Sequence, residues 1–522
     1  MNSKYLINTA VREYPDNLAF IGPSNRLTFK QLDGRANRLA NALLDLGIKK
    51  GDRAGILMQN CAAYFETEMA LSKTGIVRVA LNYRLGVQDH EYVLNDSGAN
   101  VLIFGEDFAA DVASMKNRLN SVKKFICVSQ KSRRPQDADT VDYEQIIAAG
   151  SAENPAIEID EGDLRALVYT SGTTGNPKGV MITEKAWVSA TINIVLNYGP
   201  ITQNDIILNL QQLSHGAGYF VLPFFIKGAT NAIVEFEPSR VFKTIEQLRV
   251  TVLKLVPVML YKLLDAPDRH QYDLSSLNHI IYGGSPISRE RLAEALGLFG
   301  QKLSQLYGQA EIPMCISTLS REDHRLQGSD EELKRLESAG KPCINVELKV
   351  IDENGREAEP GQLGEVIARG GHIMQGYWKL PEATAQALKD GWIYTGDIGY
   401  RDSKGFLFLV DRKKDMIISG AFNIYPAEIE KILSKHPAVQ EVAVIGVPDE
   451  KWGEAVKAIV VFKPGAKTTQ KDLLDYCKKN GAGFRTPKTV DFINEIPRNP
   501  YGKVDKKSLR QPYWERLAKR IH

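Results

Sequence analysis

A chain of 522 residues, 43% hydrophobic and 25% charged, has a globular composition and is too long for one ordinary core, so two or three domains are expected. A net charge of +3, with no Lys/Arg stripe interleaved with aromatics, argues against a nucleic-acid partner, and no apolar run reaches the ~18 residues of a membrane-spanning helix. Five irregularly spaced cysteines (Cys61, Cys127, Cys315, Cys343 and Cys477) suggest neither a disulfide framework nor a zinc site and fit a reducing, cytoplasmic compartment.

The first residues, MNSKYLINTAVREYPDN, lack the apolar core of a signal peptide, and the final LAKRIH is no targeting signal. Thr28 with Gln31 reads as a capping box, and Leu32, Ala36, Leu39, Leu43 and Leu46 keep helical spacing up to the stop at Gly47. Apolar runs then alternate with amphipathic segments, at RAGILMQ, ANVLIFG and KKFICVS, an α/β pattern. Residues 134–158 are polar and read as loop-rich, leading to a buried strand at RALVYT. The stretch YTSGTTGNPKG follows directly, and a helix carrying Trp187, Ala190, Ile194 and Tyr198 is expected after it. Further strands are predicted at DIILNL, NAIVEF, VTVLKLV and LNHIIYGG. The charged residues 320–338 read as a surface excursion, and VELKVIDENGREA as a hairpin turning at Asn-Gly.

Composition changes at DRKKD, residues 411–415. PAEIEKILSKH reads as a helix opened by Pro426, followed by strands at VQEVAVIGV and KAIVVF and a helix near residue 470. The expected fold class is therefore α/β: a large, multi-lobed N-terminal α/β domain over residues 1–413 and a small α+β domain over 414–522, with the boundary at Lys414. Residues 415–522 carry 19 Lys/Arg against 13 Asp/Glu, whereas 1–414 carry 47 against 50. Such a surface suits an anionic partner or plain solvation, and charge alone leaves both open.

YTSGTTGNPKG places four Ser/Thr hydroxyls, three glycines and one lysine in eleven positions (169–179). Glycines let backbone N–H groups approach oxyanions, hydroxyls add donors, and a lysine adds charge, so this is a phosphate-holding loop by composition. It is not a Walker A loop, because Lys178 lies between Pro177 and Gly179. A Gly/Ser/Thr-rich turn without a ligand is the plain alternative.

The exact string resembles the phosphate-loop signature of the adenylate-forming superfamily of acyl-CoA synthetases, adenylation domains and luciferases. The resemblance runs through most of the chain, in the family's order: LTFKQLDGRANRLANAL, GDRAGILMQN, LSHGAGY, YGGSP, QLYGQAE, GYW, DGWIYTGDIG, DRKKDMIISGAFNIYPAEIE and PRNPYGK. It is most similar to AMP-forming acyl-CoA or aryl-CoA ligases. It implies an acid–thiol ligase that uses ATP, Mg²⁺ and CoA: a carboxylate attacks the α-phosphate, pyrophosphate leaves, and a thiol then takes the acyl group from the adenylate.

The resemblance also implies roles. Thr170, Ser171, Gly172, Thr173, Thr174, Gly175 and Lys178 would hold the β- and γ-phosphates. Lys503 resembles the lysine that reaches both the carboxylate and the α-phosphate, where charge builds in the transition state. Glu311 resembles the carboxylate that meets Mg²⁺, a hard cation that takes oxygen ligands. Asp397 and Arg412 would meet the ribose. Gly283, Gly284, Ser285, Pro286 and Tyr307 would wall the adenine, with Gly308, Gln309 and Ala310 beside the phosphates. Position 310 departs from the family, which usually carries Thr there. His215 resembles a gate between acyl and nucleotide sites, without general-base work. A Ser-His-Asp hydrolase is disfavoured, since no G-x-S-x-G is present.

Lys414, two residues after Arg412, matches the family's pivot, and Ser419, Gly420 and Ala421, with Lys488, would line the CoA tunnel. Many relatives read SGG where this chain reads SGA. The acyl pocket would include Ala217, Tyr219, Leu306 and Met314, with Phe220 nearby. No Asp in these segments suggests an amino-acid ammonium site, so an apolar acid (aromatic, alicyclic or fatty) is expected. Free CoA is the expected acceptor; a separate carrier protein is the alternative, and a catalytically impaired nucleotide-binding relative the remote one. A homodimer is a common prior for such an enzyme.

Overall fold

The structure, a computed structural model, describes residues 1–129, 139–170, 176–420, 422–498 and 504–521. The chain packs as two compact units, residues 1–348 with 368–393, and 349–367 with 394–522. Packing thus divides the chain elsewhere than at residue 414: residues 394–413 and the excursion 349–367 belong with the C-terminal part. No helix among the described residues is long and apolar enough to cross a membrane.

The capped helix forms as its sequence dictates. It runs Phe29–Asp45, with both capping-box hydrogen bonds between Thr28 and Gln31 present. Leu32, Ala36, Leu39 and Leu43 are fully buried along one stripe.

The first unit holds two large sheets among the described residues. In one, the strands Leu303–Tyr307, His279–Gly283, Val252–Leu255, Ile206–Asn209, Thr230–Ile233 and Leu18–Ile21 lie side by side in that order, all parallel. In the other, Lys178–Thr183 and Leu164–Thr170 form an antiparallel pair beside the parallel strands Val77–Ala80, Arg53–Leu57, Val101–Gly105 and Lys124–Val128. Parallel strands are covered on both faces, which is why they read as continuous apolar runs.

Two expectations are corrected. A strand, Lys178–Thr183, intervenes before the helix Glu184–Tyr198, so the phosphate-type loop closes a β-hairpin instead of entering a helix directly. Alternation in KGVMIT is short and interrupted by Gly179, which hid it. Within the polar stretch, Tyr143–Ala149 is a helix capped by Asp142, with Tyr143, Ile146 and Ile147 buried. The Asn-Gly turn forms as expected, with Asp352 N–H donating to Arg356 O at 2.8 Å, although the returning arm pairs only as the single bridge Ile351–Glu357.

The two sheets meet through buried charge. Arg78, from Val77–Ala80, is fully buried and forms an ion pair with Glu68. Its Nη2 also donates to Tyr64 Oη and to the carbonyl of Leu213, both at 2.9 Å. Arg165, from Leu164–Thr170, donates to the same Glu68 carboxylate at 3.1 Å and to Ser72 Oγ at 2.7 Å. Trp187 lies across both guanidinium groups and stacks on Tyr219 at 4.3 Å. Removing one member of such a buried pair leaves an uncompensated charge.

The C-terminal unit carries an antiparallel sheet in which Gly453–Phe462 lies between Val439–Asp449 and Ile417–Ser419. Its core gathers Ile429 and Leu433 of the helix Pro426–Leu433 and Leu473 and Cys477 of the helix Gln470–Lys479 against that sheet. The Arg78→Met variant is expected to lose about 3–5 kcal/mol of stability, read as a lowered urea midpoint, with the conservative surface change Lys227→Gln leaving the midpoint in place.

Candidate active site

Four consecutive parallel strands of the larger sheet release their loops at one carboxyl edge, where open α/β sheets place their ligands. LSHGAGY follows Ile206–Asn209, YGGSP closes His279–Gly283, YGQAE closes Leu303–Tyr307, and Lys254 is the penultimate residue of its strand between them. Glycines permit the close approaches. A Cβ on Gly283 would fall 2.3 Å from Leu306 O, one on Gly308 would fall 2.7 Å from Met314 N, and one on Gly216 would fall 3.2 Å from Met314 Cε. Met314 itself sits at φ +67°, a left-handed conformation that non-glycine residues adopt at local strain, often near functional sites.

Glu311 lies on the loop closed by the pairing of Tyr307 with Ser317. Its Oε1 accepts from Tyr377 Oη at 2.8 Å, and its backbone carbonyl accepts from Met374 N–H at 2.8 Å. Tyr377 in turn pairs with Val180 on Lys178–Thr183, and Lys178 Nζ stands 5.0 Å over the Tyr377 ring. Thr170 is the register partner of Lys178, so both ends of the phosphate-type loop are fixed beside Glu311. Nearby, Tyr169 Oη donates to Asp96 at 2.6 Å and Trp378 Nε1 to Asp96 O at 3.0 Å. Ser171, Gly172, Thr173, Thr174 and Gly175 lie outside the described residues.

Glu311 Oε2 has no donor among the described residues, and no group of three His, Cys, Asp or Glu able to hold a metal occurs among them. One carboxylate beside a phosphate loop fits Mg²⁺ that arrives with ATP, an ion that keeps phosphate and water oxygens around it.

Gly283, Gly284, Ser285 and Pro286 form a turn whose last three residues are exposed, with Gly284 at φ +90°, and Tyr307 is half-buried at the end of the neighbouring strand. Ala310 offers no hydroxyl; Gln309 N–H donates to Ile312 O at 3.3 Å. His215 is half-buried, its Nδ1 is 2.8 Å from Ser214 Oγ, and burial, with Arg78 as the lesser cause, pushes its pKa down to about 4. Ala217, Tyr219 and Leu306 are buried, and Tyr219 is engaged with Trp187.

In the second unit, Asp397 lies opposite Arg412 in adjacent strands, with Nε–Oδ1 at 2.9 Å. Asp397 is nearly inaccessible, while Arg412 is half-exposed. Lys414 is exposed in the turn Lys413–Asp415. Ser419 pairs with Gly453, Gly420 sits at φ +63° and donates to Trp452 O at 2.7 Å, and Lys488 Nζ stands 5.6 Å from the Trp452 ring and 3.0 Å from Asp449. Ser419, Gly420 and Lys488, far apart in sequence, are thus brought to one tryptophan. Ala421 and Lys503 lie outside the described residues; the flanking Arg498 and Val504 form an antiparallel bridge.

Sequence reading gave no role to Tyr377, Arg78 or Lys254. Tyr377 was visible only as the middle of GYW, and Arg78 and Lys254 as lone cations in apolar strands, VRVA and VLKL.

Comparison with known proteins agrees with this geometry. The pattern of the AMP-binding enzyme family matches residues 7–378, and that of the AMP-binding enzyme C-terminal domain matches residues 428–503. The chain therefore belongs to the AMP-binding, adenylate-forming enzyme family. It is 35% identical over its full length to 91% of the medium/long-chain-fatty-acid–CoA ligase FadD8 of Mycobacterium tuberculosis. It is 36% identical over 93% of its length to 94% of a feruloyl-CoA synthase of Amycolatopsis sp. The solved structure of the amide bond synthetase McbA from Marinactinospora thermotolerans superposes with a TM-score of 0.87 at 30% identity, covering 98% of this chain and 100% of that one. The protein is an acid–thiol ligase of the AMP-forming type, using ATP, Mg²⁺ and CoA.

Two outcomes test the site. Tyr377→Phe is expected to lower kcat about tenfold, the worth of one hydrogen bond to a charged group, with KM for the acid unchanged in steady-state AMP release. Because the His215 imidazole is neutral above about pH 4, His215→Gln is expected to leave the shape of the pH–rate profile between pH 5 and 9 unaltered.

Proposed function

We propose that the chain activates a carboxylic acid with a largely apolar body, aromatic, alicyclic or fatty, and delivers it to CoA. The observation that supports this reading is the convergence of Glu311, Tyr377 and Lys178 at the ends of the phosphate-type loop. The acid's carboxylate oxygen attacks the α-phosphorus of ATP, the bond to the β-phosphate bridging oxygen breaks, and pyrophosphate departs. The CoA sulfur, as thiolate, then attacks the acyl carbonyl, and AMP leaves with the bonding electrons. An acyl adenylate is activated enough that a thiol needs no dedicated general base.

Lys178 and the phosphate loop hold the departing pyrophosphate, and Glu311, oriented by Tyr377, would hold Mg²⁺, which would supply charge neutralisation at the phosphates. Lys503 stabilises charge developing on the α-phosphate. Gly283, Gly284, Ser285, Pro286 and Tyr307 receive the adenine, and Asp397 with Arg412 the ribose hydroxyls. Lys414 is the proposed backbone pivot between the two half-reactions. Ser419, Gly420, Ala421 and Lys488 are proposed for pantetheine and its phosphates. The names of the two curated relatives, one acting on fatty acids and one on feruloyl groups, favour the broad acid class and leave its member open.

The test is one reaction containing ATP, Mg²⁺ and a panel of carboxylic acids, with and without CoA, read by mass spectrometry. AMP, pyrophosphate and an acyl-CoA are expected together. Adenylate without thioester would move the acceptor to a carrier protein. In Lys503→Ala, adenylation is expected to fall about 10²–10³-fold, while thioester formation from presynthesised acyl adenylate proceeds at the original rate. Two unchanged half-reactions would remove Lys503 from the mechanism.

A further inference from the structure

One cation of the first unit is not used by the reaction as described. Lys254 lies in Val252–Leu255, between Ile206–Asn209 and His279–Gly283 in the middle of the parallel sheet. Alternation along the strand sends Leu253 and Leu255 into the large apolar core and Lys254 to the opposite face. On that face its ammonium hydrogen-bonds Gln211 Oε1 and stands 5.8 Å over the Phe220 ring. It would lie 3.6 Å from a Cβ at Gly216, the same Cβ that would touch Met314. Lys254 is therefore at the acyl pocket of the reading above.

It is also only 5% exposed, and no carboxylate among the described residues pairs with it. An ammonium has three donors, and Gln211 satisfies one. Burying a charge without a counter-ion is costly, and a methionine of similar length would fill the same position without that penalty. Burial pulls the lysine down to about 8, which still leaves most of it protonated at neutral pH. Gly216 brings no side chain of its own to the ammonium, and the neighbour there is the unbranched thioether of Met314.

We propose that Lys254 is a specificity-determining residue: it donates to an oxygen carried by the acyl group away from the reacting carboxylate. This rests on the acid-activating reading and narrows it. The acid is apolar along its body but bears a second oxygen function, a carboxylate, ketone or phenol, that reaches the ammonium. A plain hydrocarbon acid would leave the ammonium's spare donors unmet, a stronger basis for discrimination than shape alone.

The test pairs the full-length protein with Lys254→Met. Adenylation is followed by pyrophosphate exchange on acids matched in size, one series hydrocarbon, the others with a distal carboxylate, ketone or phenol. The expected result is that the natural chain prefers one oxygenated series, and that Lys254→Met loses about 10- to 100-fold in kcat/KM for that series alone. The preferred series identifies the oxygen: a dicarboxylate reads the charge, a ketone or phenol the hydrogen bond. Equal losses across all series, or a natural preference for hydrocarbon acids that the variant keeps, would overturn the proposal. A readout independent of turnover is the unfolding midpoint without ligands. It is expected to hold or rise in Lys254→Met, because a buried charge has been removed; a clear fall would mark Lys254 as a structural cation and overturn the proposal. Should the natural chain exchange pyrophosphate with no acid at all, the acid-activating reading fails, and the midpoint still decides what the buried lysine does for the fold.

Discussion

The first unit depends on how Arg78 and Arg165 share Glu68. Neighbouring strands of one sheet present two guanidinium groups to a single carboxylate from the helix Ala62–Thr74, all within protein interior. Glu184 faces Arg165 as a second buried carboxylate at 3.5 Å, and the remaining demand is met by neutral acceptors and a π face: Tyr64, Ser72, the Leu213 carbonyl and Trp187. The Leu213 contact matters most for function, because Leu213 opens the LSHGAGY loop on the other sheet. A buried guanidinium is worth its desolvation only with its partners in place, so the cluster ties the hairpin Leu164–Thr183 to the LSHGAGY loop. Burial chiefly, and Arg78 as the lesser cause, keep His215 neutral.

Much of this was legible in the chain. The capped helix needed only Thr28, Gln31 and a stripe of leucines, and it formed as read. The parallel strands were visible as apolar runs, since burial on both faces removes polar alternation. The proposed site roles came from resemblance and not from spacing, because chemistry there depends on loops that meet across hundreds of residues. What stayed hidden is what only packing reveals. Tyr377 reaches Glu311 because its short strand adds to the edge of Lys178–Thr183, a pairing with no local signature. The division between compact units also eluded sequence: composition shifts at residue 411, yet residues 349–367 fold with the C-terminal part. A composition change marks where the surface alters, not where the core does.

The Ala at position 310 deserves weighing against that geometry. A hydroxyl there would give one hydrogen bond to phosphate, worth about 1.5–3 kcal/mol when the acceptor is charged. The placement of Glu311, however, does not pass through the side chain at 310. It is fixed by backbone: Tyr307 paired with Ser317, Ile316 N–H on Tyr307 O, and Met374 N–H on the Glu311 carbonyl. Gly308 admits the Met314 backbone so closely that any Cβ would be expelled, which winds the loop back on itself and aims the carboxylate at Tyr377. Removing a hydroxyl from such a loop subtracts a donor without moving the Glu311 carboxylate. Electrostatic stabilisation in phosphoryl-type transfer comes from fixed charges already oriented before reaction. On the proposed reading, Lys178 and an ion held by Glu311 would therefore carry the step that a threonine would only have assisted.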